Sequence, residues 1–303
     1  MRVAHTIAEL SDMRDELTAT QPRPTVSFVP TMGALHAGHC ALIGIARNVA
    51  DVVVVSIFVN PLQFGPDEDY ARYPRALEHD LGVCEAQGVD IAFVPSVSEL
   101  YPSGRHVSVS AGPIGTVLEG RARPSHFDGM LTVVTKLFNI VRPDKAIFGQ
   151  KDAQQLAAIR RLVADLNFDI DIVAGPIARE DDGLALSSRN HYLLPPQRKT
   201  ALLISAALRA AARHDDAPSA LQAARSVLGL AERDETFGLD YLSLVNPQTF
   251  AELPDDHQGE ALLVIAANVG DARLVDNVEL VLGHSVADPE ATLDLDRDDV
   301  EVC

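Results

Sequence analysis

The eight residues Val52–Val59 read Val-Val-Val-Val-Ser-Ile-Phe-Val. A β-branched run that is apolar at odd and even positions alike must be covered on both faces. Such a strand belongs to a parallel sheet, whose crossover connections place helices above and below it. The surrounding chain supplies that alternation. Val26–Val29 is a second β-rich run, followed by a glycine-containing loop and a helical stretch from about His39 to Ala50. A helical stretch over 75–87 stops at Gly88 and leads into a strand over 90–94. A helix over 131–141, a strand over 145–148, a helix over 153–166 and a strand over 169–173 continue the pattern. Right-handed βαβ units of this kind predict an α/β fold with a Rossmann-like, parallel-sheet N-terminal domain over residues 1–177.

After residue 177 the pattern changes. A loop over 179–190 precedes an Ala-rich helix over 196–213 and a second helix over 219–232. Strands over 239–245, 261–267 and 278–282 then follow one another without intervening helices, which predicts a smaller α+β lid domain over 178–283. A length of 303 residues suits two domains. The last residues, 284–303, form an acidic tail, expected to be flexible: 288–303 holds seven acidic residues against Arg297.

Charge and cysteine usage exclude several classes. Lys and Arg number 25 against 43 Asp and Glu, a net charge of −18, and phosphate backbones select basic faces, so no nucleic-acid partner is expected. Cys40, Cys84 and Cys303 are an odd count without CxxC spacing, which argues against a disulfide framework and for a reducing, cytoplasmic compartment. No apolar run reaches the ~18 residues of a membrane helix, and Glu9, Asp12 and Arg14 interrupt the N-terminus, so neither a membrane partner nor a leader is expected.

Candidate chemistry gathers where strands give way to helices. Between the first β-rich run and its helix stands Pro30-Thr31-Met32-Gly33-Ala34-Leu35-His36-Ala37-Gly38-His39. Ligands of open parallel sheets bind beyond the carboxyl ends of the strands, and a helix N-terminus with unpaired amides favours phosphate. His36 and His39, three apart, share a helical face and suit a polyphosphate. Read alone, the stretch leaves three possibilities open: a phosphate site, two unrelated histidines in a glycine loop, or a metal site.

Phe148-Gly149-Gln150-Lys151-Asp152 lies at another strand-to-helix edge, with a flexible cation for a phosphate oxygen and a carboxylate suited to ribose hydroxyls, although the same residues also occur in ordinary turns. Leu186-Ser187-Ser188-Arg189-Asn190 offers two hydroxyls and a guanidinium fork, or simply common loop composition. Gln63, just past the second strand, and Gln155, in the first turn of a helix, carry uncharged amides that suit a hydroxyl-rich substrate, or are plain surface glutamines. All of these fall at one edge of one sheet. The residues by themselves reach a nucleotide-phosphate site in a Rossmann-like domain, with a basic loop from a second domain.

Several stretches carry a resemblance: PTMGALHAGH (30–39), FVNPLQF (58–64), DYARYPR (69–75), RPSHFDGMLTVVTKLFNIVRPD (123–144), FGQKDAQQ (148–155), DGLALSSRNHYL (182–193) and RLVDN (273–277). From its first strand to Leu282 the chain resembles the pantothenate synthetase family, within the nucleotidyltransferase superfamily marked by His-x-Gly-His. These are ATP-dependent ligases that join (R)-pantoate to β-alanine through a pantoyl adenylate, releasing AMP and pyrophosphate. The resemblance implies a cytoplasmic homodimer that takes ATP with Mg2+. It implies that Met32, Gly33, Ala34, Leu35, His36, Ala37, Gly38 and His39 line the ATP site, with His36 and His39 on the phosphates and His39 as proton donor. Lys151 would hold phosphate oxygens, with Gly149, Gln150 and Asp152 bordering the nucleotide, the backbone of Ala178 near the base, and Leu186, Ser187, Ser188 and Arg189 closing over the triphosphate. Gln63 and Gln155 would bind pantoate, and Gln63 also β-alanine; Asn60 and Tyr73 carry over to the same pocket.

Two departures from the family pattern stand out. Some members have an acidic residue where Gln150 stands and an aromatic one where Ala153 stands. The stretch that holds the metal in some relatives reads Glu78-His79-Asp80-Leu81-Gly82-Val83 here, and Asp80 is the expected metal ligand. Two rival functions remain to be set beside the ligase: an adenylyltransferase acting on another acid or nucleotide, and a nucleotide-binding regulator without chemistry.

Overall fold

A computed structural model describes residues 1–66, 68–104 and 106–283 of the chain; the acidic tail expected over 284–303 lies outside them. The chain divides into two compact units. The first comprises Met1–Gln150 and Gln154–Pro176, and the second comprises Lys151–Ala153 and the chain from Ile177.

The first unit alternates strands and helices: β1 (Arg2–Ala4), α1 (Ile7–Leu17), β2 (Val26–Thr31), α2 (Ala37–Val49), β3 (Val52–Ile57), α3 (Leu77–Ala86), β4 (Ile91–Phe93), the short α4 (Val97–Leu100) and α5 (Glu119–Ala122), α6 (His126–Val141), β5 (Lys145–Gly149), α7 (Ala153–Asp165) and β6 (Asp171–Gly175). Among the described residues the strands form one six-stranded sheet in the order β1-β4-β3-β2-β5-β6, every pairing parallel. β3 is buried at every position, as its valines and isoleucine require, and Ser56 is buried with them. Each fully buried valine there contributes on the order of 1.5 kcal/mol of transfer free energy. α2 turns Cys40, Ile43 and Ala46 inward, spaced to cover one sheet face, while α6 is buried around most of its circumference.

β1 and α1 are elements that the periodicity did not mark. α1 begins with a capping box: Thr6 Oγ1 accepts the N–H of Glu9 at 3.2 Å, and Glu9 Oε2 accepts the N–H of Thr6 at 3.1 Å. β1 is three residues long and pairs with β4 at the sheet edge, too short to show an alternation.

The second unit contains α8 (Pro195–Ala211) and α9 (Ala217–Ala231), then β7 (Phe237–Val245), β8 (Gly259–Val269) and β9 (Ala272–Leu282) in an antiparallel sheet of order β7-β8-β9. Small buried alanines, among them Ala201, Ala207, Ala211, Ala220 and Ala224, let the two helices approach closely, and Leu208, Leu228, Leu263 and Ile265 fill the core they share with the sheet.

Candidate active site

The strand order reverses at the boundary between β2 and β5: from β2 the chain proceeds to β3 and β4 on one side and resumes at β5 on the other. This is the switch point of the sheet, where departing loops open a crevice. The Met32–His36 loop, the Asn60–Gln63 turn and Gln150 all leave its carboxyl edge here.

The Met32–His36 loop is held from within. Gly33 and Ala34 both take positive φ, +84° and +52°. Gly33 is required twice over, because a Cβ there would also stand 2.9 Å from Asp80 Oδ2. Asp80, on α3 and only 1% exposed, accepts the N–H of Ala34 at 3.0 Å and that of Leu35 at 2.8 Å, one on each carboxylate oxygen. Thr31 Oγ1 accepts the N–H of Gly33 at 3.2 Å.

The two imidazoles cap α2. His36 Nδ1 accepts the N–H of Gly38 at 3.1 Å, and His39 Nδ1 accepts the N–H of His36 at 3.3 Å. The carbonyl of His36 takes the N–H groups of His39 and Cys40 at 2.7 and 3.1 Å. The backbone amides of Gly33 to His36 and of Gly38 and His39 are thus engaged inside the protein. What the arrangement offers instead is fixed by the tautomer: with both Nδ1 atoms accepting, the ring protons lie on Nε2, and Nε2–H is the donor of each ring. The ring centroids are 4.2 Å apart, so the two donors form a pair.

Gln63 stands against this loop, its Nε2 3.1 Å from Met32 Sδ. The residue is 7% exposed, and its amide orientation is set by neighbours. Asn60 Nδ2 donates to Gln63 Oε1 at 3.1 Å and to the carbonyl of Gly129 at 3.1 Å, while Tyr101 Oη donates to Asn60 Oδ1 at 3.0 Å. Gly129 is needed because a Cβ would run into the carbonyl of Leu62. The backbone of Gln63 is fixed too: its carbonyl accepts His126 Nδ1 at 2.8 Å and Arg123 Nη2 at 3.4 Å. Arg123 also donates to His126 Nε2 at 3.2 Å and pairs with Glu68. Burial and then the Arg123 charge push the His126 pKa below the usual histidine range, consistent with a neutral ring carrying its proton on Nδ1. Burial raises the Glu68 carboxyl, but the hydrogen bond and charge of Arg123 outweigh it and leave the pKa low.

Other expected residues of the first unit lie along the same sheet. Gly149 ends β5 opposite Gly175, Gln150 follows it, Gln155 is half-buried in the first turn of α7, and Tyr73 is buried against Phe64. Gln154, beside Gln155 and not singled out by the residue pattern, is 4% exposed and pins the loop ahead of α6, donating to the carbonyls of Ile114 and Val117 at 2.7 and 2.9 Å.

The second unit holds Lys151, Asp152, Ala178 and the Leu186–Arg189 segment. Lys151 Nζ lies 3.8 Å from Asp152 Oδ1. A hairpin closes between Arg179 and Ala185, with the N–H of Leu186 on the carbonyl of Ala178 at 2.9 Å. Ser187 Oγ accepts the N–H of Arg189 at 3.2 Å, and Asn190 Nδ2 donates to Glu180 and to the carbonyl of Ala185. Glu180 and Asp182 both pair with Arg198 at 2.6 Å.

The donor set does not suit a protein-held magnesium ion. Both oxygens of Asp80 already serve backbone amides, and among the described residues no group of three His, Cys, Asp or Glu side chains is placed to hold a metal. The histidine pair likewise uses each Nδ1 on the backbone.

Parallel sheet, switch-point loop and paired imidazoles define an α/β protein built to bind a nucleotide phosphate. Residues 2–279 match the family model described as pantoate-beta-alanine ligase, and the chain belongs to that family. It is 52% identical over 289 residues to a pantothenate synthetase of Thermobifida fusca, covering 92% of this chain and 98% of the relative. The crystal structure of pantothenate synthetase from Thermus thermophilus superposes with a TM-score of 0.83 at 46% identity, covering 92% of this chain and 99% of that one. A pantoate-beta-alanine ligase from Francisella tularensis, complexed with beta-gamma ATP and beta-alanine, superposes with a TM-score of 0.74 at 35% identity over 92% of this chain and 97% of its own. Among the described residues no helix is long and apolar enough to cross a membrane.

Proposed function

We propose that the chain runs the family's ligase reaction with its switch-point loop as the phosphate site. A carboxylate does not condense with an amine in neutral water because oxide is a poor leaving group. An oxygen of the (R)-pantoate carboxylate therefore attacks the α-phosphorus of ATP, the bond to the β-phosphate oxygen breaks, and pyrophosphate leaves. The amine of β-alanine then attacks the acyl carbon, the carbon–oxygen bond to AMP breaks, and pantothenate and AMP form as the nitrogen sheds a proton. The first step asks the protein mainly to position reactants and to stabilise charge on the phosphates.

The observation that carries this reading is the pair of Nδ1-capped imidazoles, whose ring protons lie on Nε2 and whose centroids are 4.2 Å apart. His36 and His39 donate to the phosphates, and His39 follows the charge that builds on the leaving pyrophosphate. Met32, Gly33, Ala34, Leu35, Ala37 and Gly38 shape the nucleotide side of the loop. Lys151 holds phosphate oxygens, Gly149, Gln150 and Asp152 border the ribose, and the backbone of Ala178 meets the base. Leu186, Ser187, Ser188 and Arg189 enclose the triphosphate and keep water from the adenylate. Gln63 and Gln155 read the hydroxyls and carboxylate of pantoate, and Gln63 also receives β-alanine. Magnesium belongs to the substrate as MgATP, carried on phosphates and water rather than by Asp80. The enzyme works as a cytoplasmic homodimer on small molecules, with neither nucleic acid nor membrane as partner.

The test is AMP and pyrophosphate release from ATP with pantoate, with and without β-alanine. Pyrophosphate in stoichiometric amount without β-alanine, and continuous AMP release with it, is the expected result. Binding of ATP without pyrophosphate release would instead mark a regulator, and turnover with another acid but not pantoate an adenylyltransferase.

A further inference from the structure

Lys151, Asp152 and Ala153 belong to the second unit although Gln150 and Gln154 on either side belong to the first. One strand explains this. Asn277 of β9, 6% exposed, donates Nδ2–H to the carbonyl of Lys151 at 3.1 Å. Its neighbour Asp276, 4% exposed, accepts Arg179 Nη1 at 2.7 Å and Nη2 at 3.0 Å, and the N–H of Asn277 at 2.9 Å. Arg179 in turn donates to the carbonyl of Gly183 at 3.2 Å, bracing the hairpin that delivers Ser187 to Arg189. Successive strand residues point to opposite faces, so one dipeptide can reach two separate segments.

We propose that Asp276 and Asn277 are positioning residues for the phosphate-binding cations: from adjacent places on β9 they set the main chain of Lys151 and the hairpin that carries Arg189. The inference rests on the ATP site described above. Its physical basis is the cost of the arrangement. A buried carboxylate and amide in a strand packed on leucines and valines are expensive to desolvate, so the attraction they gain in return adds little net stability. Their partners gain in geometry instead. A lysine ammonium is a point charge on a flexible stem, so the volume it samples is bounded by how firmly its own backbone is held. The carbonyl of Lys151 has that hold from a buried donor, where water competes poorly. The bidentate Asp276–Arg179 pair adds orientation as well as attraction, because the guanidinium fork fits a carboxylate in one plane.

The experiment is ATP–pyrophosphate exchange dependent on pantoate, which needs no β-alanine, measured on the full chain. Asn277→Asp keeps the size of the side chain and removes its donor; Asn277→Ala serves if the aspartate variant does not fold. Either is expected to slow exchange by about tenfold, the loss that goes with one buried hydrogen bond, while the pantoate KM stays within about twofold. In a Lys151→Ala background the same substitution should cost less than about twofold more, because the group it positions is gone. Asp276→Asn is expected to raise the ATP KM several-fold in the parent, and to lose most of that effect in an Arg189→Ala background. Losses that multiply in both backgrounds overturn the inference and leave the nucleotide site standing. Unchanged exchange in Lys151→Ala itself overturns both.

Discussion

His39 Nδ1 accepts the backbone N–H of His36 at 3.3 Å, so the second histidine of the loop caps the helix through the first. One ring therefore has two tasks, and substitutions can separate them. The oxygen of an asparagine placed there falls near the position of Nδ1, whereas a glutamine amide falls near that of Nε2. His39→Asn is expected to leave the melting temperature close to that of the parent and to cut pantoyl-adenylate formation by about 10²-fold, as removal of one preorganised donor does. His39→Gln should retain more activity and melt lower. Thermal melts beside pyrophosphate release check both, and a reversed order would place the proton on Nδ1.

Asp80 offers a second separation. Asp80→Asn removes one of the two acceptors beneath Ala34 and Leu35. A buried hydrogen bond to a charged group contributes about 1.5–3 kcal/mol, so the ATP KM should rise by about tenfold or more. Titration with Mg2+ at fixed ATP should give the same midpoint in variant and parent. Rescue of the variant by excess Mg2+ would restore Asp80 as a metal ligand.

Gln155 is assigned to pantoate alone. Gln155→Ala is expected to weaken pantoate binding by about tenfold, the worth of one hydrogen bond to a charged partner, and to leave ATP binding within about twofold. Calorimetry with each ligand decides the matter. Equal losses would remove Gln155 from the acid pocket.

His126 holds the carbonyl of Gln63 as a neutral ring. Because its pKa is depressed in the native state, the unfolded chain takes up a proton first, and the stability this contributes is present above the ordinary histidine range and lost as pH falls through it. Denaturant midpoints between pH 7.5 and pH 5 should fall less in His126→Asn than in the parent (comparison range of about two units around the histidine value). Asparagine can still donate to Gln63, so its pantoate KM should stay nearer the parent value than that of His126→Phe.

Cys84 lies under Asp80 on α3, and burial, followed by the Asp80 charge, raises its thiol pKa to about 11. The native state keeps the thiol protonated where the unfolded chain would ionise it. Its contribution is complete below the ordinary thiol value and is lost as pH rises through about 11. Cys84→Ala should therefore show a shallower fall in melting temperature across that alkaline window. The parent thiol should also resist alkylation at neutral pH.

The layered fold was legible because its signal is local. The valine-rich run of β3 and the alternation of strands with helices follow from residues close in sequence. α1 carried an equally local signal, Thr6 and Glu9 in capping-box spacing, which composition and periodicity pass over. The candidate residues were legible as types at a sheet edge, but their hydrogen-bond state was not. Whether the amides after β2 are open depends on Asp80, 45 and 46 positions further along from the two amides it holds, and nothing in the loop itself announces that partner. Arg123, His126 and Gly129 belong to the quoted stretch 123–144, yet their common task, holding Asn60 and Gln63, emerges only when α6 packs on the Pro61–Gln63 turn. Asp276 and Asn277 are of the same kind, distant in sequence from every segment they steady.

The hydrogen bond from Asn277 to the carbonyl of Lys151 also bears on how the molecule can be taken apart. A cut after Pro176 separates Lys151 from Asn277, whose amide holds its carbonyl. A fragment ending at Pro176 retains the lysine but loses its amide anchor on β9, while the complementary piece keeps the anchor and lacks the lysine. A graft of the first 176 residues onto a foreign partner would therefore have to bring β9 along to keep the carbonyl of Lys151 held.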